Sequence, residues 1–144
     1  MILLTPEHLQ RIAAEAEAAY PAECCGLLVG HERAEGGFEV VRVVPSPNVD
    51  ARGGRKRFEI DPRLILELQR SLRGGPEKVI GHYHSHPDHP ASPSARDIER
   101  AWQPGLVWLI TSVVGGTAVE TTAHILEGSG DFREIGLETT GGKP

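Results

Sequence analysis

A chain of 144 residues is long enough to bury a real core and short enough to read as one domain. Its 20 acidic residues outnumber 15 basic ones, and a net charge of −5 argues against the concentrated positive field of a nucleic-acid surface. No apolar run approaches the ~20 residues of a membrane-spanning helix, and no secretory signal pattern opens the chain, so a cytoplasmic setting is expected.

Met1 to Leu4 has the length of a short leading strand. Thr5-Pro6-Glu7 then reads as an N-cap, a proline suited to the first helical position and an acid in the first turn. Leu9, Ile12, Ala13 and Ala16 follow the spacing of a buried helical face, and Pro21 ends that helix. Cys25 to Val29 reads as a short buried strand punctuated by Gly26 and Gly30, and Phe38 to Val44 as a second strand ending at Pro45. The only cysteines, Cys24 and Cys25, are adjacent, which allows no ordinary disulfide framework; they read as small core residues in a reducing compartment.

The segment 46–57 has no apolar period and carries Arg52, Arg55, Lys56 and Arg57, which predicts a mobile basic loop. Phe58 to Ile60 follows as a short strand. Asp61-Pro62 opens a second helix with Leu64, Ile65, Leu68 and Leu72 inward, closed by Gly74-Gly75. A central strand runs from Val79 to His84, and Leu106 to Val114 is the strongest buried strand of the chain. Ala118 to Glu127 and Phe132 to Ile135 read as late hairpin or edge strands, and 139–144 as a frayed tail behind a domain of residues 1–138. Strands alternating with helices around a hydrophobic centre indicate an α/β sheet with helices on its faces.

The stretch from Gly81 to Asp97 carries the chemistry. In an extended strand, residues two apart point to one side, so His84 and His86 present both imidazoles to the same spot. Zinc requires that convergence, and three protein ligands leave a fourth position for water. Asp97 can supply the third. Ser92 suits an N-cap and Pro93 the first position of a helix continuing through Asp97, with Ser94 one turn before Asp97 on the same face.

His84-Ser85-His86-Pro87, the seven residues from Pro87 to Pro93, Ser94, and Asp97 three further on resemble the motif of the JAMM (MPN-domain) metallopeptidases. Pro21-Ala22-Glu23-Cys24-Cys25-Gly26-Leu27-Leu28-Val29-Gly30 looks like the family's upstream glutamate segment. The resemblance implies a mixed sheet of the cytidine-deaminase-like kind and one zinc per chain on His84, His86 and Asp97. It also implies Glu23 as the proton-shuttling base and Ser94 as a donor to the developing oxyanion. A zinc-lowered water pKa still leaves a proton to be moved to the leaving amine, which a carboxylate beside the metal can do. The small stand-alone members act on ubiquitin-like sulfur-carrier proteins, cutting after the terminal diglycine to release an extension or a cysteine adduct made in cysteine biosynthesis. Only eight residues separate Asp97 from Leu106, too few for the long second insertion of ubiquitin-chain-specific relatives.

Bland readings compete at several positions. A third histidine, His82, lies in the same alternation, but His82 to His86 spans roughly 13 Å of strand, too far for three ligands on one ion; packing beneath the site is the expected role. Ser85 should point away from the metal and be structural. His89 reads as an exposed loop residue, Trp102 and Trp108 as core, and His8, His31 and His124 receive no role. The basic 52–57 loop is either solvated or borders the groove for a substrate tail. Two other classes stand beside the peptidase: a non-catalytic MPN-type interaction module, and a small-molecule zinc hydrolase or deaminase. The deaminases use a Pro-Cys-x-x-Cys ligand motif that this chain lacks.

Overall fold

The computed structural model describes residues 1–50, 58–94, 97, 105–128 and 130–139. In chain order its elements are β1 (Ile2–Leu4), α1 (Pro6–Ala19), β2 (Cys25–Glu32), β3 (Phe38–Ser46), α2 (Pro62–Leu72), β4 (Lys78–Pro87), β5 (Val107–Val114), β6 (Thr117–Leu126), β7 (Phe132–Ile135) and β8 (Leu137–Thr139). The strands form one sheet in the order β7-β6-β5-β4-β2-β3-β1-β8. It is mixed: β4 runs parallel to β5 and antiparallel to β2, and β1 runs parallel to both β3 and β8. A parallel β4–β5 pair needs a crossover, and residues 88–106 supply it.

Each helix starts where its local chemistry allows. Thr5 accepts from the His8 amide while His8 Nδ1 accepts from the Thr5 amide, a reciprocal cap that gives His8 a role its sequence did not suggest. Asp61 caps α2 by accepting from the Arg63 amide, with Pro62 in the first turn. α1 lays Ile12 and Ala16 on one face of the sheet, in a core with Leu28, Ile80, Tyr83 and Leu109. α2 covers part of the other face, packing Leu68, Leu64, Ile65 and Leu72 against Leu27, Val29 and Val79. Beyond α2 on that second face lies an aromatic cluster of Phe58 and Trp108 with Cys25, flanked by Ile60 and Phe132. His82 and His84 stand beside it, because Leu27 faces His82 and Cys25 faces His84 in the β2–β4 register.

Several expectations shift. β2 does not stop at Val29 but continues to Glu32, and Gly26 and Gly30 lie inside it. They are glycines because neighbours occupy their side-chain space: a Cβ at Gly26 would overlap the fully buried Tyr83 ring, and one at Gly30 the Glu39 carbonyl oxygen. β3 passes through Pro45 to Ser46, since β1 pairs only with Phe38 and Glu39 and leaves the outer side of β3 open at the proline. Phe58 to Ile60 is not a strand: Ile60 makes a single bridge to Asn48, and Phe58 turns its ring into the core. Thr139, read as the start of the tail, pairs with Leu4 as the last residue of β8, while 140–144 lie outside the described residues. The basic positions 52–57 and Trp102 also lie outside them. Among the described residues, no helix is long and apolar enough to cross a membrane.

The close β2–β3 approach has a direct test. Gly30→Ala should lower unfolding stability by about 1–3 kcal/mol in urea titrations, because backbone, not a pliant side chain, blocks the methyl.

Candidate metal centre and active site

β4 places His84 and His86 on the face opposite α1, and the crossover returns Asp97 to them. His84 Nε2 lies 3.1 Å from His86 Nε2 and 3.2 Å from Asp97 Oδ1, and His86 Nε2 lies 3.0 Å from Asp97 Oδ2. All three residues are buried. Among the described residues they form the cluster able to hold a metal ion, and His82 is not part of it.

The donor set asks for a cation. His86 Nδ1 lies 2.8 Å from the Pro90 carbonyl oxygen, which only accepts, so that nitrogen carries the hydrogen. In its neutral form His86 therefore aims a bare Nε2 lone pair at a carboxylate oxygen and a second imidazole nitrogen, and only its protonated form can donate there. Such an arrangement is repulsive until a proton or a metal ion sits between the atoms, and a backbone carbonyl on the far nitrogen is the usual partner of a metal-binding histidine. Burial works against the charged form of His86, but the bonds and charge of Asp97, with Pro90 and Glu23, raise its pKa overall. Burial likewise opposes ionisation of Asp97, yet hydrogen bonds from His84 and His86 hold its carboxyl well below the usual carboxylate range. At His84 burial wins, and the pKa falls despite Asp97.

His84 is oriented by packing. Its Nδ1 is buried with no hydrogen-bond partner, while its ring stacks on Phe58 at 4.3 Å and meets the edge of Trp108 at 5.7 Å. His82 packs against Trp108 at 4.2 Å, and burial pushes its pKa down to about 3, so it sits neutral beside the triad.

Ser94 and Asp97 exchange bonds: the Ser94 amide donates to Asp97 Oδ2 at 2.8 Å, and the Asp97 amide donates to Ser94 Oγ at 3.1 Å. That reciprocity is the pattern of a capping box, which Ser94 can form and Ser92 cannot, because only Ser94 has an acid three residues on. The Ser94 amide thus holds the Asp97 carboxylate, and exposed Ser94 keeps its own hydroxyl hydrogen to donate. Glu23 is buried and lies two residues before Cys25, the residue that pairs with His84. Its charge contributes to raising the pKa of His86.

The loop after His86 is fastened through successive carbonyls. Ser112 Oγ donates to the His89 oxygen at 2.6 Å, His86 to Pro90, and the Thr122 hydroxyl to Ala91. His124, given no role from sequence, completes this anchor through Thr122 at 2.8 Å. Asp88, at φ 57°, accepts from the Gly115 amide and from the Tyr20 hydroxyl, tying the loop to the end of α1. Sequence reasoning missed these fastenings. The available signal was Ser112, a polar side chain inside the strongest apolar run.

Zinc should bind at one per chain, be lost in His84→Ala, His86→Ala and Asp97→Ala, and be kept in His82→Ala, as read by metal analysis. Below its raised pKa, His86 carries a proton that must leave before metal binds. Apparent zinc affinity should therefore fall about tenfold per pH unit in acid and level off above that pKa, in chelator-competition titrations.

Comparison with known proteins agrees with this geometry. The family described as prokaryotic homologs of the JAB domain matches residues 5–124. A desampylase of Haloferax volcanii is 39% identical over 118 residues, covering 81% of this chain and 78% of its own. A probable TtuB-protein conjugate cleaving protease of Thermus thermophilus is 35% identical over 97 residues, 67% of this chain and 57% of its own. The CysO-cysteine peptidase of Mycobacterium tuberculosis is 24% identical over 140 residues, 88% and 92% of the two chains. A solution structure from Desulfitobacterium hafniense superposes with a TM-score of 0.82 at 32% identity, over 97% of this chain and 93% of the other. A match over residues 5–124, with that fold and this buried His-His-Asp cluster, makes the chain a member of the prokaryotic JAB-domain (JAMM/MPN) family.

Proposed function

We propose that this protein is a zinc-dependent peptidase or isopeptidase that hydrolyses the bond following the C-terminal diglycine of a ubiquitin-like sulfur-carrier protein. The observation that carries the reading is the convergence of two imidazole nitrogens and a carboxylate able to hold a cation, with a buried glutamate whose charge acts on His86. His84, His86 and Asp97 would hold one zinc, which when bound supplies Lewis acidity and a water made nucleophilic near neutral pH.

The chain's own groups then move the protons. The Glu23 carboxylate takes one proton from the attacking water, whose oxygen bonds to the scissile carbonyl carbon. The Ser94 hydroxyl donates to the carbonyl oxygen as it gains charge. The carbon–nitrogen bond breaks, and Glu23 returns its proton to the departing amine. Asp97 does not titrate in this cycle, because its pKa lies far below neutrality.

The substrate class rests on the relatives' names, which include a protease of TtuB–protein conjugates and a peptidase of CysO–cysteine. An extended diglycine tail is thin enough to lie as an added strand across a groove, and bulkier residues beside the scissile bond would clash. Arg52, Arg55, Lys56 and Arg57 would steer an acidic carrier, an effect that salt should weaken. The buried free thiols of Cys24 and Cys25 suit a reducing cytoplasm.

Zinc-loaded wild type incubated with a carrier extended by one cysteine should remove that residue, as followed by mass. Glu23→Gln should keep zinc and fold while losing nearly all turnover, and Ser94→Ala should fall by a factor on the order of 10²–10³. Near wild-type cleavage by Glu23→Gln would sink the mechanism. An intact extended carrier alongside efficient cleavage of unrelated unfolded peptides would sink the substrate.

A further inference from the structure

Glu23 stands just outside β2, where the regular ladder has not yet begun, and yet its main chain is not left to solvent. The peptide unit that joins it to Cys24 is gripped at both polar atoms by side chains. Its N–H, that of Cys24, donates to Ser85 Oγ at 2.8 Å. Its carbonyl oxygen, that of Glu23, accepts from Asn48 Nδ2 at 3.0 Å. The next carbonyl, of Cys24, accepts from the Ser85 amide at 3.2 Å, so Ser85 bonds to Cys24 twice.

The two grips come from opposite sides of β2, as the two ends of one peptide plane require. Ser85 lies on β4 between the metal histidines, fully buried, and Asn48 follows β3. Asn48 is itself anchored, its Oδ1 accepting from the amides of Glu59 and Asp50. A peptide plane held at both ends fixes where the Glu23 Cα sits and the direction of its Cα–C bond, the base from which the Glu23 side chain branches toward the site. Because Ser85 sits between His84 and His86, that direction is referenced to the strand that carries the metal ligands.

We infer that Ser85 and Asn48 are positioning residues, which clamp the Glu23–Cys24 peptide and so aim the Glu23 carboxylate at the His84–His86–Asp97 site. The inference rests on the reading of Glu23 as the base. It gives Ser85 a task that its orientation away from the metal ligands conceals, and it gives Asn48 a task beyond shaping its loop.

The test compares zinc-loaded wild type with Ser85→Ala and with Asn48→Asp, which keeps an acceptor for Glu59 and Asp50 but loses the donor to Glu23. On the cysteine-extended carrier, each substitution should lower kcat by roughly 10²-fold, the scale of an ångström-level misplacement, with KM and zinc content unchanged. Both are repeated in Glu23→Gln, where neither should lower the residual rate further, because residues acting through one group are not additive. An undiminished loss in the Glu23→Gln background would mean that they act on the fold or the metal strand, and would overturn the inference. A substrate-free reading separates this from the proposed function: NMR order parameters of the Glu23 methylenes should drop in both variants. If wild type leaves the carrier uncut, the proposed function fails while the methylene measurement still decides the clamp. A Glu23 side chain equally ordered in wild type and both variants would overturn it.

Discussion

Two imidazole nitrogens and a carboxylate, each about 3 Å from the others and all removed from water, stay together only with a proton or a metal ion between them. Much of the surrounding structure serves to keep them there. A buried charge is costly unless it is paired, so the arrangement persists only if the backbone leaves its members no escape. The Pro90 carbonyl settles which nitrogen of His86 carries hydrogen, and Phe58 and Trp108 hold the His84 ring by packing alone. One ligand is thus aimed by a hydrogen bond and the other by aromatic contact.

The loop between the second histidine and Asp97 is where an error would be most damaging, because eleven residues of chain must return a carboxylate to within 3.0 Å of His86. The structure meets this by converting loop carbonyls into acceptors for side chains on β4, β5 and β6. Asp88 extends the scheme to the end of α1, whose continuation carries Glu23. The same logic recurs upstream, where Ser85 and Asn48 hold the main chain of Glu23. In both places irregular backbone near the site is disciplined by side chains from regular elements, the condition under which a polar site can be precise.

The division of labour between the faces of the sheet explains what surrounds the site. The α1 face takes most of the aliphatic core together with Tyr83, whose hydroxyl donates to Glu15 at 2.7 Å. Burial raises the Glu15 pKa, and the tyrosine bond and Arg11 offset part of that cost. The opposite face is shared, with α2 covering one end and an aromatic cluster beside His84, His86 and Asp97 at the other. His82 falls between them, neutral and packed on Trp108, which is why a third histidine in perfect alternation stays out of the cluster.

Local chemistry wrote much of this protein legibly. Helix starts at Thr5-Pro6 and Asp61-Pro62 and the apolar runs of β4 and β5 follow from residue periodicity and capping, and the spacing of His84, His86, Ser94 and Asp97 is read from its resemblance to a family motif. These signals are short in range, and the structure keeps them. What needed the folded chain was of two kinds. Glycines inside β2, Pro45 inside β3 and the lone bridge at Ile60 depend on which neighbours crowd or leave open a given strand, which no local window contains. The aiming of the ligands and of Glu23 depends on bonds such as Thr122 to Ala91, Asn48 to Glu23 and Ser85 to Cys24, whose partners lie 25 to 61 residues apart along the chain. Sequence could single out Glu23, His84, His86, Ser94 and Asp97 because their types and spacing resemble the motif of a known family. Only tertiary structure could name the groups that hold them, because any serine, threonine or asparagine that the sheet carries to the right place can donate or accept the same hydrogen bond.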